Sequence, residues 1–353
     1  AGTAKISGKI GLINGKIMRK GKHTYVPEED IYIIGTTSIA GPNEGRGRFS
    51  AFYDAVLEDC DWDCKTHEKT EIKMHKFAIE HVIEKSALGR SDIDCIVGGD
   101  LLNQLVASTF AAREFEIPCL GVYSACASFG EALAISSFLI GRGNMNNVVC
   151  CTGSHFGAVE RQFRYPLELG TQPAPSAQYT VTAAGSALLS STRKEKVPVI
   201  TSCTVGKIVD YHICDANNMG AAMAPAAADT IITHLQDIGR GEDYYDYIFT
   251  GDLGKYGRET LYYLCKKQGY DLAGCLNDCG ALIYADEQKD MQGGSGAGCL
   301  AVVFASYIYK EMCAGNMKKV LLVPTGALLS KDSSLQGESI PGIAHAVALE
   351  MRD

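Results

Sequence analysis

Five short apolar stretches, residues 93–98, 118–123, 147–152, 247–250 and 319–324, run without the polar–apolar alternation of a half-exposed strand. Such continuity marks strands covered on both faces, as in a parallel sheet. Pro324 closes the last of them, at a strand end where a missing N–H costs the ladder least. Helical stretches lie between them, among them 70–86, 224–238 and 259–268; the first gathers its charges on one side, as a surface helix does. Two other helical stretches differ. Residues 127–140 carry one charge, Glu131, and residues 300–309 carry none. A helix apolar all round is covered on every side. The two occupy matching places in the chain, so the pattern predicts an α/β fold in five layers (helix, sheet, helix, sheet, helix) with both apolar helices in the middle.

An internal repeat strengthens this picture. Asp92-Ile-Asp-Cys-Ile-Val-Gly-Gly-Asp-Leu101 is similar to Tyr244-Tyr-Asp-Tyr-Ile-Phe-Thr-Gly-Asp-Leu253, and Gly143-Asn-Met145 to Gly315-Asn-Met317, each before an apolar strand. The landmarks follow the same order, with about twenty more residues between them in the second copy. A long repeat that occurs once indicates a duplicated domain, not a solenoid. The division expected is a first half over residues 1–200 and a second over 201–353.

Composition narrows the function classes. With 46% hydrophobic and 21% charged residues, the chain has enough apolar side chain for a large core. A net charge of −8 and the lack of a long Lys/Arg run argue against nucleic acid as a partner. No secretory signal and no membrane span are expected: the first eleven residues lack an apolar stretch with a cleavage site, and no window reaches about 18 continuous apolar residues. The expectation is synthesis in the cytoplasm and, at most, peripheral membrane contact. Fourteen cysteines in such a chain read as reduced thiols. Cys60, Cys64 and His67, and Cys275 with Cys279, look like metal-site fragments but lack the paired C-x2-C spacing of zinc sites, so no metal site is expected.

The strongest candidate for chemistry is Cys126, which follows an apolar strand and opens the first apolar helix. A helix N-terminus lowers a thiol pKa, and α/β folds collect ligands beyond the carboxyl ends of their strands. The competing reading is a small buried hydrophobe. Arg161 and Arg164, shortly after the strand ending near Ser154, offer planar two-point donors for an anion, and His155 follows the same strand end. The competing expectation pairs both arginines with surface carboxylates. Gly45-Arg-Gly-Arg48 lacks the frame of a phosphate loop and reads as a flexible loop. Asn14-Gly15 reads as a hairpin turn. No GxSxG elbow supports Ser-His-Asp catalysis. His212 and His345 belong to no motif and read as local hydrogen-bonding residues.

Tyr-Ser-Ala-Cys126-Ala-Ser-Phe-Gly resembles the nucleophile loop of thiolases and ketoacyl-carrier-protein synthases, families that also have two similar halves, five layers and two buried central helices. The resemblance places the family histidine on or near Gly251, within Ile248-Phe-Thr-Gly-Asp252, where this chain has none. It places a second polar partner in Gly293-Gly-Ser295-Gly-Ala-Gly-Cys299. Without those groups the oxyanion hole and proton relay of thioester chemistry are missing. A more specific likeness rests on several motifs in order: Gly99-Asp-Leu-Leu-Asn-Gln104, Glu160-Arg-Gln-Phe-Arg-Tyr-Pro166, Met223-Ala-Pro-Ala-Ala-Ala-Asp-Thr230, Thr250-Gly-Asp252, Asp278-Cys-Gly280, Gly293-Gly-Ser-Gly296 and Thr325-Gly-Ala-Leu-Leu-Ser330. From about residue 35 to 350 the chain resembles the stage V sporulation AD family. That resemblance implies a thiolase-like αβαβα protein that binds dipicolinate, alone or as its calcium chelate. It implies work with other stage V sporulation A proteins in dipicolinate uptake into the forespore, peripheral to the spore inner membrane, as a homodimer. No cofactor is implied beyond calcium carried by the ligand. Cys126, His155, Arg161, Arg164, Asp252 and Ser295 are the ligand-binding candidates, and a calcium chelate would account for the acidic Asp252. The alternative is an active acyltransferase in which His155, His212 or His345 serves Cys126.

Overall fold

The apolar runs form strands, and the strands repeat one topology twice. The computed structural model describes residues 17–163, 173–288 and 292–352. Ten strands lie along one hydrogen-bonded path. They are β1 (Ile31–Ala40), β2 (Cys95–Gly99), β3 (Cys119–Gly121), β4 (Asn147–Ser154), β5 (Ala183–Ser190), β6 (Pro198–Thr204), β7 (Tyr247–Thr250), β8 (Leu276–Asp278), β9 (Lys319–Val323) and β10 (Ala346–Met351). Their spatial order is β8-β7-β9-β10-β6-β1-β5-β4-β2-β3. Counted outward from the β6–β1 junction, each half reads first, fifth, fourth, second, third. In each half the last three of these are parallel and the fifth strand is antiparallel to its neighbours. The second half opens at Pro198, so a division between residues 200 and 201 runs through β6.

Helices supply the other three layers. One outer layer holds α1 (His67–Lys85) and α2 (Val106–Ala112); the middle holds α3 (Ser128–Gly141) and α7 (Ala297–Val303). Between these in sequence come α4 (Phe156–Phe163), α5 (Met219–Ile238) and α6 (Gly254–Lys267). Helix α3 touches β2 and β4 of the first half and β6 and β10 of the second; α7 packs on α3 and on β1, β4 and β5. Helices α1 and α2 cover the first half, and α5, with α6 against it, covers the second. Every residue of α7 is buried, and the helical path continues to residue 313 through a π-helical turn. Close approach is required here. A Cβ on Gly185 of β5 would meet the Ala301 backbone at 2.3 Å, and one on Gly298 would meet the Ala183 carbonyl at 2.3 Å. Glycine at both positions lets the helix backbone lie against the strand.

The helices differ from the sequence expectation mainly at their ends. Helix α1 starts three residues early, where the Thr66 side chain accepts the Lys69 N–H as an N-cap, and α5 starts five residues early, capped by Asn218. The extra length between repeat landmarks falls partly in α6, fourteen residues against seven in α2. The expected Asn14-Gly15 turn lies outside the described residues; a hairpin pairs Ile17–Lys20 with Thr24–Pro27. No described helix is long and apolar enough to cross a membrane.

The repeat extends to side-chain bonds. Asp94 Oδ2 accepts the N–H groups of Asn146 and Asn147 at 2.6 and 2.9 Å. Asp246 Oδ2 accepts those of Lys318 and Lys319 at 2.8 and 2.9 Å. Each aspartate ties the entry of a strand, β2 or β7, to the entry of its parallel neighbour. Asp94→Ala and Asp246→Ala are each expected to cost about 1–3 kcal/mol, because two charge-assisted bonds are lost at once. Denaturant unfolding of both single variants and the double variant checks this; at sites this far apart the two losses should add to within about 0.5 kcal/mol.

Candidate functional site

The carboxyl ends of the parallel strands converge over the N-termini of α3 and α7, and Cys126 sits there. The turn leading into α3 holds Ala125 at φ +50°, a left-handed conformation costing a non-glycine residue about 1–2 kcal/mol. The Ala127 N–H on Ser124 O (2.9 Å) and the Ser128 hydroxyl on Ala125 O (2.7 Å) hold the turn in place. Cys126 is thereby aimed into a cavity of about 590 Å³, including its mouth. The wall is mostly apolar, with Leu101, Val159, Phe163, Met219 and Leu329 around the thiol, and Tyr123, Thr180, Ser295 and Glu160 as its polar members.

Behind the thiol lies Asp252. It follows β7 in a turn held by Asp278, whose carboxylate accepts the Leu253 and Gly254 N–H groups (both 2.9 Å) and the Thr250 hydroxyl (2.7 Å). Asp252 Oδ1 accepts the Thr325 hydroxyl at 2.6 Å and the Thr325 N–H at 3.3 Å. Its Oδ2 has no N–H or O–H donor, and the weak S–H donor of Cys126 is the group that reaches this carboxyl. Burial, reinforced by the charge of Asp278 and opposed by the Thr325 bonds, pushes the Asp252 carboxyl up to about 7. Burial and the Asp252 charge push the Cys126 thiol well above its ordinary value, against the Gly296 N–H, which favours the thiolate. The pair is a thiol and a carboxyl that both resist ionisation. A neighbouring imidazolium would have the opposite effect on the thiol.

No histidine hydrogen-bonds Cys126 among the described residues. His155 is buried elsewhere: Nε2 donates to Cys60 O (2.8 Å), Nδ1 accepts the Gly157 N–H (3.1 Å), and the ring stacks on His67. His345 accepts the Gly206 N–H on Nδ1 (3.3 Å) and faces the Ser124 hydroxyl through Nε2 (3.3 Å). Burial lowers both imidazoles to about 4, so both are neutral. His212 is exposed beside Asp210.

The chain is similar along nearly its whole length to proteins of known family. The profile of the family described as "Stage V sporulation protein AD (SpoVAD)" matches residues 21–350. The chain belongs to that family. The stage V sporulation protein AD of Bacillus subtilis (strain 168) is 40% identical over 330 residues, which cover 94% of this chain and 97% of that one. Among solved structures, 3-oxoacyl-[acyl-carrier-protein] synthase III from Aquifex aeolicus VF5 aligns with a TM-score of 0.55 at 12% identity, covering 91% of this chain and 99% of that chain. Acetamide-bound OleA from Xanthomonas campestris aligns with a TM-score of 0.58 at 13% identity, covering 91% and 99%. This sporulation-family chain therefore has a thiolase-like fold.

Of the six candidates read from sequence, the structure brings together Cys126, Asp252 and Ser295. It corrects the placement of two others. Arg161 faces away from the cavity and pairs with the Glu68 carboxylate at the surface, which is the competing expectation for it, and His155 is spent on Cys60 and the start of α4. Arg164 lies outside the described residues. Sequence reasoning missed Glu160, whose Oε1 accepts the Thr180 hydroxyl at 2.7 Å on the cavity wall. Helical phase carries the signal: Val159, Glu160 and Phe163 share one face of α4, and Arg161 falls on another. No group of three or more His, Cys, Asp or Glu side chains is gathered as ion ligands among the described residues.

A carboxyl with a raised folded pKa binds a proton on folding. Its contribution is fully present below the ordinary value near 3.8 and is lost as pH rises towards about 7. Asp252→Asn abolishes that loss. The stability of the variant relative to the parent is therefore expected to climb between those pH values and level off above them, measured by thermal unfolding at a series of pH values. The same variant should alkylate faster at Cys126 with iodoacetamide at pH 8, while exposed Cys119 and Cys214 react in both proteins at unchanged rates.

Proposed function

We propose that this chain binds dipicolinate, chiefly as its calcium chelate, in the cavity at Cys126, without catalysing acyl transfer. Serving dipicolinate uptake into the forespore, alongside other stage V sporulation A proteins and peripheral to the spore inner membrane, completes the proposal. The observation that carries the non-catalytic part is Asp252: a buried carboxyl stands beside the thiol where the thiolase resemblance places a histidine. Such a neighbour opposes the thiolate, and an ionised carboxyl repels the oxyanion that a condensing enzyme must stabilise.

The cavity wall favours the chelate over the free dianion. Its one charged wall residue among those described is Glu160, and the nearest buried ionisable group behind the wall is acidic as well. A free dianion there would face two acids, and among the described wall residues no cation balances it, at a cost of several kcal/mol in a dry site. Calcium dipicolinate is charge-balanced, flat and apolar on its ring faces, which suits Leu101, Val159 and Phe163. The Thr180 and Ser295 hydroxyls can meet its carboxylates, and Glu160 oxygen suits the hard cation. A homodimer is part of the proposal. Strand β3 ends the sheet exposed along its length, and Leu120 within it and Tyr123 just after it are exposed apolar groups that a second copy would cover.

A second reading, acyl transfer by Cys126, is favoured by the Gly296 N–H directed at the sulfur and by the position at the start of α3. Calorimetric titration with dipicolinate, with and without calcium, separates the two. Saturable binding that strengthens with calcium and weakens in Cys126→Ala and Glu160→Gln is expected, together with no acylation of Cys126 by short thioesters in intact-protein mass spectrometry. Absence of binding in both conditions, with acylation present, would replace the binding proposal with the acyltransferase.

A further inference from the structure

The opposite end of the strands carries a different electrostatic surface. Where β6 and β9 begin and β10 ends, the chain forms a cleft of about 1650 Å³, including its open mouth. Five cations line it: Arg193, Lys194, Lys196, Lys318 and Arg352, against two acids, Asp30 and Glu195. Two of the five are occupied. Lys194 donates to the Ile34 carbonyl at 2.6 Å, and Arg352 pairs with Asp30 at 2.8 Å. Arg193, Lys196 and Lys318 are exposed and have no ion pair or side-chain hydrogen bond among the described residues. They come from separate segments, the turn joining the two halves and the entry to β9, and Lys196 is fixed in that turn at φ +58°. In a chain of net charge −8, three unbalanced cations facing one recess constitute a local reversal of sign.

We propose that this cleft is a binding site for phosphate-bearing anions, separate from the cavity at Cys126. An arginine fork and two ammonium groups around a concave recess match a compact, multiply charged oxyanion. An extended acidic peptide would need a row of cations, which three convergent side chains do not provide. The same phosphate chemistry occurs on a free anion and on a phospholipid headgroup, and two probes distinguish them: inorganic pyrophosphate by calorimetry, and co-sedimentation with vesicles of phosphatidylcholine alone or mixed equally with phosphatidylglycerol.

The test uses the full chain and two variants of equal net charge. One carries Arg193→Glu, Lys196→Glu and Lys318→Glu in the cleft; the other carries Lys255→Glu, Arg258→Glu and Lys267→Glu on α6. Three exposed contacts at the usual strength of such pairs amount to about tenfold in affinity. Binding of either probe, weakened at least that much by the cleft variant and retained by the α6 variant and by Cys126→Ala, is the expected result. Pyrophosphate binding assigns the free anion, and binding to phosphatidylglycerol vesicles alone assigns the headgroup. Equal weakening by both charge variants would reduce the effect to net charge and overturn the site. So would failure of both probes, including the case in which an acidic peptide binds instead. Thermal unfolding of each variant establishes that it is folded. Because Cys126→Ala is assayed in parallel, failure here leaves the dipicolinate proposal standing, and the reverse also holds.

Discussion

Covering two helices on all sides is the constraint from which the site follows. Helices α3 and α7 lie in the middle layer, between the two halves of one continuous sheet, and both begin at the carboxyl ends of parallel strands, so whatever residue opens either helix is withdrawn from water. For Cys126 two opposed effects meet at that position. A helix N-terminus favours an anion by about 0.3–1 kcal/mol, up to about 2 where partly buried. Full burial disfavours it by as much as about 3–5 pKa units, or several kcal/mol. Burial wins by magnitude alone, and Asp252 adds to it in the same direction. A position that looks activating in sequence is therefore deactivating in the folded chain.

How much of this was legible depended on the range of the interaction. Four of the unbroken apolar runs showed strands buried on both faces, where no room is left for alternation, and the uncharged stretch at 300–309 showed a central helix for the same reason; the run at 118–123 does form a strand, but β3 is an exposed edge strand and not one covered on both faces. The duplication was legible because paired structural duties keep paired residues: Asp94 and Asp246 make the same two backbone bonds, and Gly143 and Gly315 both turn the chain at positive φ. Helix starts were less legible, since Thr66 and Asn218 act through single side-chain caps that apolar periodicity does not register.

The side chains of the site divide along the same line. Cys126, Asp252 and Ser295 were found because each follows a strand or opens a helix, where chain order and space agree. For Arg161 the surface ion pair holds and the anion-donor reading does not, because a residue's direction on an eight-residue helix depends on phase, and a shift of one position turns it by about 100°. His155 shows a different failure. Its neighbour Ser154 does end a strand on the side where the carboxyl ends of the parallel strands meet, but the ring is taken by the carbonyl of Cys60, nearly a hundred positions earlier in the chain. No local pattern contains that partner.

Placing an acid where the resemblance expects a base changes what the cavity selects. A histidine beside a thiol gives an ion pair able to attack and then to stabilise a developing negative charge. A carboxyl beside a thiol gives two groups that are both easiest to bury neutral, around a wall with no cation among its described residues. A guest that expels the remaining water raises the cost of ionising either group still further. The proposed guest, a calcium chelate, brings its own counter-charge. The cations of the cleft stand at the other end of the strands, Arg193 and Lys196 on the turn that joins the two halves and Lys318 at the entry to β9. Under the two proposals, anionic ligands would be sorted by whether their charge is already balanced: a balanced one would suit the interior site, and an unbalanced one the exposed cleft, where water still screens it.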